Sequence, residues 1–158
     1  MRSRMIYCLL AAIIICGIPG LVQARSTETG PKANCITATA QRHIDARHFD
    51  AAAKVVRHAL TAAPSNPDLR MQMGVIQRST GQYAEARKQF RFAMTNRDKD
   101  RHWVAKCYAE IGKCWELDGD SREAILQYQL ALATVPDFHD AEVGIKRTVA
   151  MSQRTPNK

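Results

Sequence analysis

The hydrophobic and polar positions of this chain follow a helical period from about residue 34 almost to its end. Apolar residues recur at steps of three and four, which is the spacing of one face of an α-helix. No segment alternates apolar and polar residues as a half-buried strand would, and no Asn-Gly turn lies between two apolar runs. The pattern predicts an all-α chain with helices at about 34–46, 49–62, 67–80, 83–96, 100–118, 121–134 and 138–152.

One arrangement of small and large residues occurs three times in this helical region. A small residue is followed by a second small one after twelve positions, a large one after sixteen and a third small one after nineteen. Small residues let two antiparallel helices approach closely, and the large residue fills the space beside them. The pattern predicts three stacked helical pairs. The copies are Ala40, Ala52, Val56 and Ala59; Gly74, Ala86, Phe90 and Ala93; and Gly112, Ala124, Tyr128 and Ala131.

Several helix boundaries carry end signals. Asn66 precedes Pro67, so the asparagine is expected to cap a helix whose first position, where no N–H is needed, is the proline. Gly81 and Gly119 follow the third and fifth helices, where glycine readily adopts the left-handed conformation that ends a helix. These residues indicate that the helices are separated by short, well-defined turns.

The spacing between copies changes once. The step from Gly74 to Gly112 is four positions longer than the step from Ala40 to Gly74. Four extra positions are about one helical turn. We therefore expect the fifth helix to begin early, near Asp98 or Asp100, and to carry Trp103 on its added turn.

The first 24 residues have the pattern of a secretory signal peptide. Arg2 and Arg4 precede the apolar run Met5–Ile18, and small residues lead up to a cleavage site after Ala24. The alternatives are an uncleaved membrane anchor, which the short apolar run disfavours, and lipoprotein processing at Cys16. Export and a periplasmic location are the expectation, with a flexible linker at 25–32.

The net charge of the chain limits the classes of partner that we expect it to bind. The formal net charge is +8, and it falls to +6 when Arg2 and Arg4 are removed with the leader. A basic protein binds nucleic acid, anionic lipid or acidic protein surfaces, or it carries its charge for solubility alone. Because an exported protein meets little nucleic acid, we expect protein partners, with peripheral contact to an anionic membrane surface as a further expectation.

Three cysteines remain after the expected cleavage. Cys107 and Cys114 are seven positions apart on one predicted helix, so they lie about 10 Å apart along its axis. Disulfide bonds need Cα atoms within roughly 7 Å, which excludes a bond between these two. We interpret all three, including Cys35, as small packing residues, and a redox role is the alternative.

The repeated unit resembles the tetratricopeptide repeat. The second copy departs from that family at Arg70 and Gln77, and the first at Thr39 and His43, where large apolar residues are usual. The third copy carries the family's residue types at nine positions: Tyr108, Ile111, Gly112, Trp115, Gly119, Ala124, Tyr128, Ala131 and Pro136.

The resemblance implies an α-solenoid of three helix–turn–helix repeats closed by a C-terminal capping helix. Four apolar residues of that last helix, Val143, Ile145, Val149 and Met151, are expected to cover the end of the array. The implied organisation is a leader at 1–24, a linker at 25–32, repeats at about 33–66, 67–100 and 105–138, a capping helix at 139–152 and a disordered tail at 153–158.

In this family the first helix of each pair lines a concave groove that binds a segment of another protein. Some members clamp acidic C-termini with Lys and Asn in the first repeat, but Thr37 and Gln41 stand at those places here, which argues against a carboxylate clamp. The residues that the resemblance places in the groove are Thr37, Gln41, Ile44, Met71, Val75, Arg78, Ala109, Lys113, Glu116 and Arg147.

Enzymatic motifs are missing from the sequence. It has no His-Glu-x-x-His pair, no Gly-x-x-x-x-Gly-Lys phosphate loop and no Gly-x-Ser-x-Gly elbow, so we assign no catalytic residue, cofactor or metal site. Two functions remain. One is a protein-interaction scaffold or assembly factor in the bacterial cell envelope. The other is a thiol-linked holdase for cysteine-bearing exported clients.

Overall fold

The computed structural model describes residues 31–154, with side chains from residue 35 onward, and every regular element in that range is helical. The predicted leader, most of the predicted linker and residues 155–158 lie outside the described part. None of the described helices is long and apolar enough to cross a membrane. The helices are α1 (Pro31–Asp45), α2 (Phe49–Ala62), α3 (Pro67–Ser79), α4 (Tyr83–Thr95), α5 (Arg101–Asp118), α6 (Ser121–Thr134) and α7 (His139–Arg154).

The predicted end signals are confirmed in the structure. The side chain of Asn66 accepts hydrogen bonds from the backbone N–H groups of Asp68 at 2.9 Å and Leu69 at 3.1 Å, which caps α3. Gly81 and Gly119 have φ angles of 81° and 91°, the left-handed conformation in which glycine is not strained. Local sequence therefore determines where α3 begins and where α3 and α5 end.

The early start of α5 is also confirmed. Asp100 caps the helix by accepting a hydrogen bond from the Trp103 backbone N–H at 3.0 Å. The indole Nε1 of Trp103 donates to the Ala93 carbonyl at 3.1 Å, and the Arg97 guanidinium lies 4.1 Å from its ring centroid. The added turn thus ties α5 to the end of α4.

Two helix ends differ from the prediction by more than one position. The first helix begins at Pro31, inside the segment expected to be a flexible linker, because proline is compatible with the first turn of a helix. The last helix continues to Arg154, two positions beyond the predicted end, since the polar residues there include no helix breaker.

The core consists of three clusters, each shared by three consecutive helices. The first joins α1, α2 and α3, the second joins α3, α4 and α5, and the third joins α5, α6 and α7. Ala52, Ala86 and Ala124 are fully buried in these three clusters, as the repeated pattern requires. Every helix pair is therefore held both internally and by the first helix of the next pair.

Aromatic rings of the second helices lie directly on glycines of the first helices. A Cβ added at Gly74 would come within 2.6 Å of the Phe90 ring, and one at Gly112 within 2.8 Å of the Tyr128 ring. Tyr128 also contacts Gly144 of α7, where an added Cβ would lie only 2.5 Å from the ring. The tyrosine is fully buried between two glycines on two different helices.

The packing face of α7 differs from the predicted one. Val143, Val149 and Met151 are 39%, 37% and 49% exposed, so they do not cover the array, and of the four predicted residues only Ile145 packs against the third cluster. The helix faces the array with small residues because the Tyr128 ring leaves no room for larger ones. The buried residues of α7 are Ala141, Gly144 and Thr148.

Replacing Gly144 by alanine should destabilise the protein by roughly 1 kcal/mol. Overpacking against Tyr128 costs about 1–3 kcal/mol, which exceeds the gain of up to ~1 kcal/mol from better helix propensity. Urea unfolding followed by circular dichroism measures the change. The neighbouring exposed substitution Val143→Ala should stay within about 0.5 kcal/mol of wild type. A Gly144→Ala protein as stable as the Val143→Ala protein would contradict this packing argument.

Candidate functional site

Polar side chains link the first helices of neighbouring pairs along one face of the array. Gln72 Nε2 on α3 donates to Gln41 Oε1 on α1 at 3.4 Å, while Gln72 Oε1 is buried and accepts no hydrogen bond from any described residue. We call this surface the inner face. It is formed by Gln41, Gln72, Arg78, Glu110, Lys113, Glu116 and Arg147.

A chain of ion pairs crosses the middle of the inner face. Arg78 on α3 lies 3.2 Å from the Glu110 carboxylate on α5, and Lys113 donates to the other Glu110 oxygen at 3.0 Å. Lys113 also reaches Asp140 on α7 at 3.3 Å. Because Glu110 is only 8% exposed, its two cationic partners compensate a carboxylate that has lost most of its water.

A second polar cluster joins α5, α6 and α7. Arg147 donates to both carboxylate oxygens of Glu116, from Nε at 2.5 Å and from Nη2 at 2.7 Å, and the Tyr128 hydroxyl donates to Oε2 at 2.8 Å. Burial by itself raises the Glu116 pKa, but the hydrogen bonds from Arg147 and Tyr128 outweigh it and the pKa is lowered. Burial and the neighbouring Glu116 together raise the Tyr128 pKa.

Four of the ten predicted groove residues carry the ion pairs just described. Gln41 is exposed at the α1 end of the inner face, while Thr37, Ile44 and Val75 are half-buried. Ile44 packs partly on the first core cluster and Val75 partly on the second. The four in ion pairs are Arg78, Lys113, Glu116 and Arg147.

Met71 and Ala109 do not lie on an accessible surface, which corrects their assignment to the groove. They are 5% and 1% exposed and belong to the second and third core clusters. Both lie three positions before the glycine of their repeats, and the adjoining helices bury their side chains. The sequence assignment also missed Glu110, whose three-residue spacing from Lys113 on one helix was the available signal.

The three cysteines have different environments. Cys107 and Cys114 are fully buried, and desolvation raises the pKa of each thiol to about 12. They are packing residues, as expected, and no disulfide joins them. Cys35 is exposed on α1, so its assignment as a packing residue is wrong. The face of α1 that carries Cys35 has no preceding helical pair to pack against among the described residues.

One family model matches part of this chain. The tetratricopeptide repeat family model matches residues 43–107, which include α2, α3 and α4. The search of curated proteins gave no significant match. The match therefore covers less than half of the chain, from the last residues of α1 to the first part of α5.

Solved tetratricopeptide repeat domains share the fold at low sequence identity. The Sgt2 domain from Aspergillus fumigatus is 15% identical with a TM-score of 0.67, over 82% of this chain and 86% of that one. The Arabidopsis OM64 domain is 17% identical with a TM-score of 0.63, over 74% and 93%. The second domain of human RPAP3, solved with the HSP70 peptide SGPTIEEVD, is 17% identical with a TM-score of 0.63, over 76% and 98%. The fold of this chain is that of these helical solenoids.

Thiol labelling should separate the cysteines of the native protein. N-ethylmaleimide is expected to modify Cys35 alone, because Cys107 and Cys114 are buried and their thiols are protonated near pH 8. Mass spectrometry of the protein without its predicted leader, residues 25–158, should give one adduct without denaturant and three with it, and Cys35→Ser should remove the native adduct. Rapid native modification of Cys107 or Cys114 would contradict the structure.

The contact between Arg147 and Glu116 should give α7 a pH-dependent contribution to stability. We expect Arg147→Ala to lower the unfolding free energy by about 1–2 kcal/mol at pH 7, less than for a fully buried pair because Arg147 is partly exposed. The Glu116 pKa is lowered on folding, so its stabilising effect is complete above the ordinary value of about 4.3 and is lost as the pH falls through the lowered value.

Denaturant unfolding between pH 3 and pH 7 tests this contribution. The difference between wild type and Arg147→Ala should shrink below about pH 4. The adjacent exposed substitution Lys146→Ala should differ little from wild type at any pH. A difference between wild type and Arg147→Ala that stays constant from pH 7 to pH 3 would contradict the assignment.

Proposed function

We propose that this tetratricopeptide-repeat solenoid is a non-enzymatic interaction scaffold that holds a segment of a partner protein against its inner face in the bacterial cell envelope. The observation that supports it is the alignment of polar side chains from four successive first helices along one surface. Gln41 is exposed there, the buried Gln72 Oε1 has no described donor, and Val75 is half-buried beside them. An extended polypeptide can hydrogen-bond to an exposed amide such as that of Gln41 and can place apolar side chains against Val75.

The charges of the inner face favour a partner segment without a cluster of acidic residues. The peptide bound by the RPAP3 domain has three acidic residues among its last four. In this chain Arg78 and Lys113 contact Glu110, and Arg147 contacts Glu116, so carboxylates of the same chain already neutralise these cations. An acidic peptide would have to displace them, whereas an uncharged segment would not.

The envelope location rests on the leader-like sequence before residue 25. Cell fractionation with the mature N-terminus determined by mass spectrometry tests it directly. The thiol-linked alternative now depends on Cys35, because the other two thiols are inaccessible in the native protein. A Cys35→Ser strain that keeps the function of the wild-type strain would exclude that alternative.

Site-specific photocrosslinking tests whether the inner face binds the partner. A photoreactive phenylalanine analogue at Gln41, in the full chain expressed in its native host, should give a discrete crosslinked protein in the envelope fraction. Adding Val75→Gln and Lys113→Gln should reduce that crosslink at least tenfold while circular dichroism stays helical. Met71 is unsuitable for this test because its substitution would disrupt the core.

The matched control places the same photoreactive group at Gln129, which is exposed on α6 away from the inner face. The adduct obtained from Gln41 should not form from Gln129. The same adduct from both positions, or an undiminished adduct in the Val75→Gln/Lys113→Gln background, would rule out the inner face as the binding surface.

A further inference from the structure

A cleft of about 340 Å³ opens between α2, α3 and α4, at the junction of the first and second helical pairs. We call it the slot, and it is within the size range of small-ligand sites. Its lining includes Ala53 and Arg57 of α2, Arg70 and Gln77 of α3, and Thr80 just after α3. No residue belongs to both the slot and the inner face.

The equivalent place at the next junction is filled by a plug of three side chains. The Arg87 guanidinium of α4 lies 3.6 Å above the Trp115 ring of α5, and Arg87 Nη1 pairs with Asp118 at 2.7 Å. Arg87 is 9% exposed despite its charge. A flat aromatic ring, covered by a guanidinium, thus closes the space between α4, α5 and α6.

The repeat pattern identifies what replaces this plug at the slot. Ala52 and Ala86 are equivalent positions of successive copies, so Ala53 corresponds to Arg87. Gly74 and Gly112 are likewise equivalent, so Gln77 corresponds to Trp115 and Thr80 to Asp118. Ala53 and Gln77 are smaller than the residues to which they correspond, Thr80 is similar in size to Asp118 but uncharged, and all three line the slot. The slot is therefore the space that an indole and a guanidinium occupy one repeat later.

The side chains that line the slot suit an aromatic ring that carries a hydrogen-bond donor at its edge. Gln77 lines the slot, and its Oε1 is buried and accepts no hydrogen bond from a described residue, so turning the amide towards the slot would let it accept from an N–H or O–H donor there. Arg57 lines the slot, and its described hydrogen bond, from Nε to the Ala53 carbonyl, leaves the rest of the guanidinium to cover a ring. Phe49, Leu60 and Met73 supply apolar contact.

We propose that the slot binds a tryptophan or tyrosine side chain presented by a partner protein, with Gln77 accepting its N–H or O–H and Arg57 stacking on its ring. A side chain from the partner would then fill the first junction as Trp115 and Arg87 of this chain fill the second. Buried amides are rarely left without a partner, and aromatic residues are common anchors in protein interfaces.

The slot and the inner face lie on opposite sides of α3. The slot is lined by residues 70, 73, 76, 77 and 80, which centre on one side of the helix, whereas Gln72, Val75 and Arg78 centre on the other side. Binding at one surface can therefore be lost while binding at the other is kept. This inference does not depend on the proposed function of the inner face.

N-acetyl-tryptophanamide is the probe for the slot. In the protein without its predicted leader, residues 25–158, it should shift the NMR amide signals of Ala53, Gln77 and Thr80, and at ten times its Kd it should raise Tm by about 4 °C. N-acetyl-phenylalaninamide, which lacks the edge donor, should bind at least threefold more weakly. N-acetyl-glycinamide, which lacks the ring, should give neither effect.

Gln77→Trp places the chain's own plug residue in the slot and should abolish both effects of the probe without lowering Tm. Ala53→Leu fills the slot from α2 and serves as the second variant if Gln77→Trp does not fold. Gln129→Trp, the same substitution on the exposed face of α6, should leave the probe's effects unchanged. No shift at Ala53, Gln77 and Thr80 in wild type, or an equal response in wild type and the filled variants, would overturn the proposal.

Discussion

The structure depends on the close approach of an aromatic ring to a glycine. Phe90 lies on Gly74, and Tyr128 lies between Gly112 and Gly144, at distances that leave no space for a Cβ. This contact sets how near the helices of a pair can come and how the next helix docks on them. At the first pair, Ala40 stands in place of the glycine and Val56 in place of the aromatic residue, and both are fully buried. The larger residue on the first helix is matched by a smaller one on the second. The three core clusters follow from this one rule, repeated along the chain.

Tyr128 connects this packing rule to the surface. Its ring fills the junction of α5, α6 and α7, while its hydroxyl donates to Glu116, which also binds Arg147. A carboxylate that is 9% exposed is tolerable there because three donors from two side chains satisfy it. The capping helix is consequently fixed by small apolar contacts on one side and a charged cluster on the other. The charges of the inner face serve internal structure first, which restricts the partners that we propose for it.

The junctions between repeats are not equivalent. Arg87, Trp115 and Asp118 close the second junction, whereas the smaller Ala53 and Gln77 leave the first one open. The two junctions share the helical repeat, although α5 has an added turn at the second. The size of the side chains that meet there is the difference that leaves a cleft at the first junction and fills the second. Repeat proteins can acquire a ligand site in this way without altering their fold, because each junction contacts only its neighbours.

The sequence by itself determined the helices, their caps and the stacking rule, because these depend on local periodicity, on Asn66, Gly81 and Gly119, and on small residues at constant offsets. It also indicated the irregular start of α5 through four extra positions. Only the tertiary structure decided that Met71 and Ala109 are core, that Cys35 is exposed, and that α7 packs through Gly144 instead of Val149. The departures at Arg70 and Gln77 were visible in the sequence, but the slot was not. The reason is physical: periodicity specifies which face of a helix is apolar, whereas burial, ion pairing and open space depend on the side chains that neighbouring helices bring to the same place.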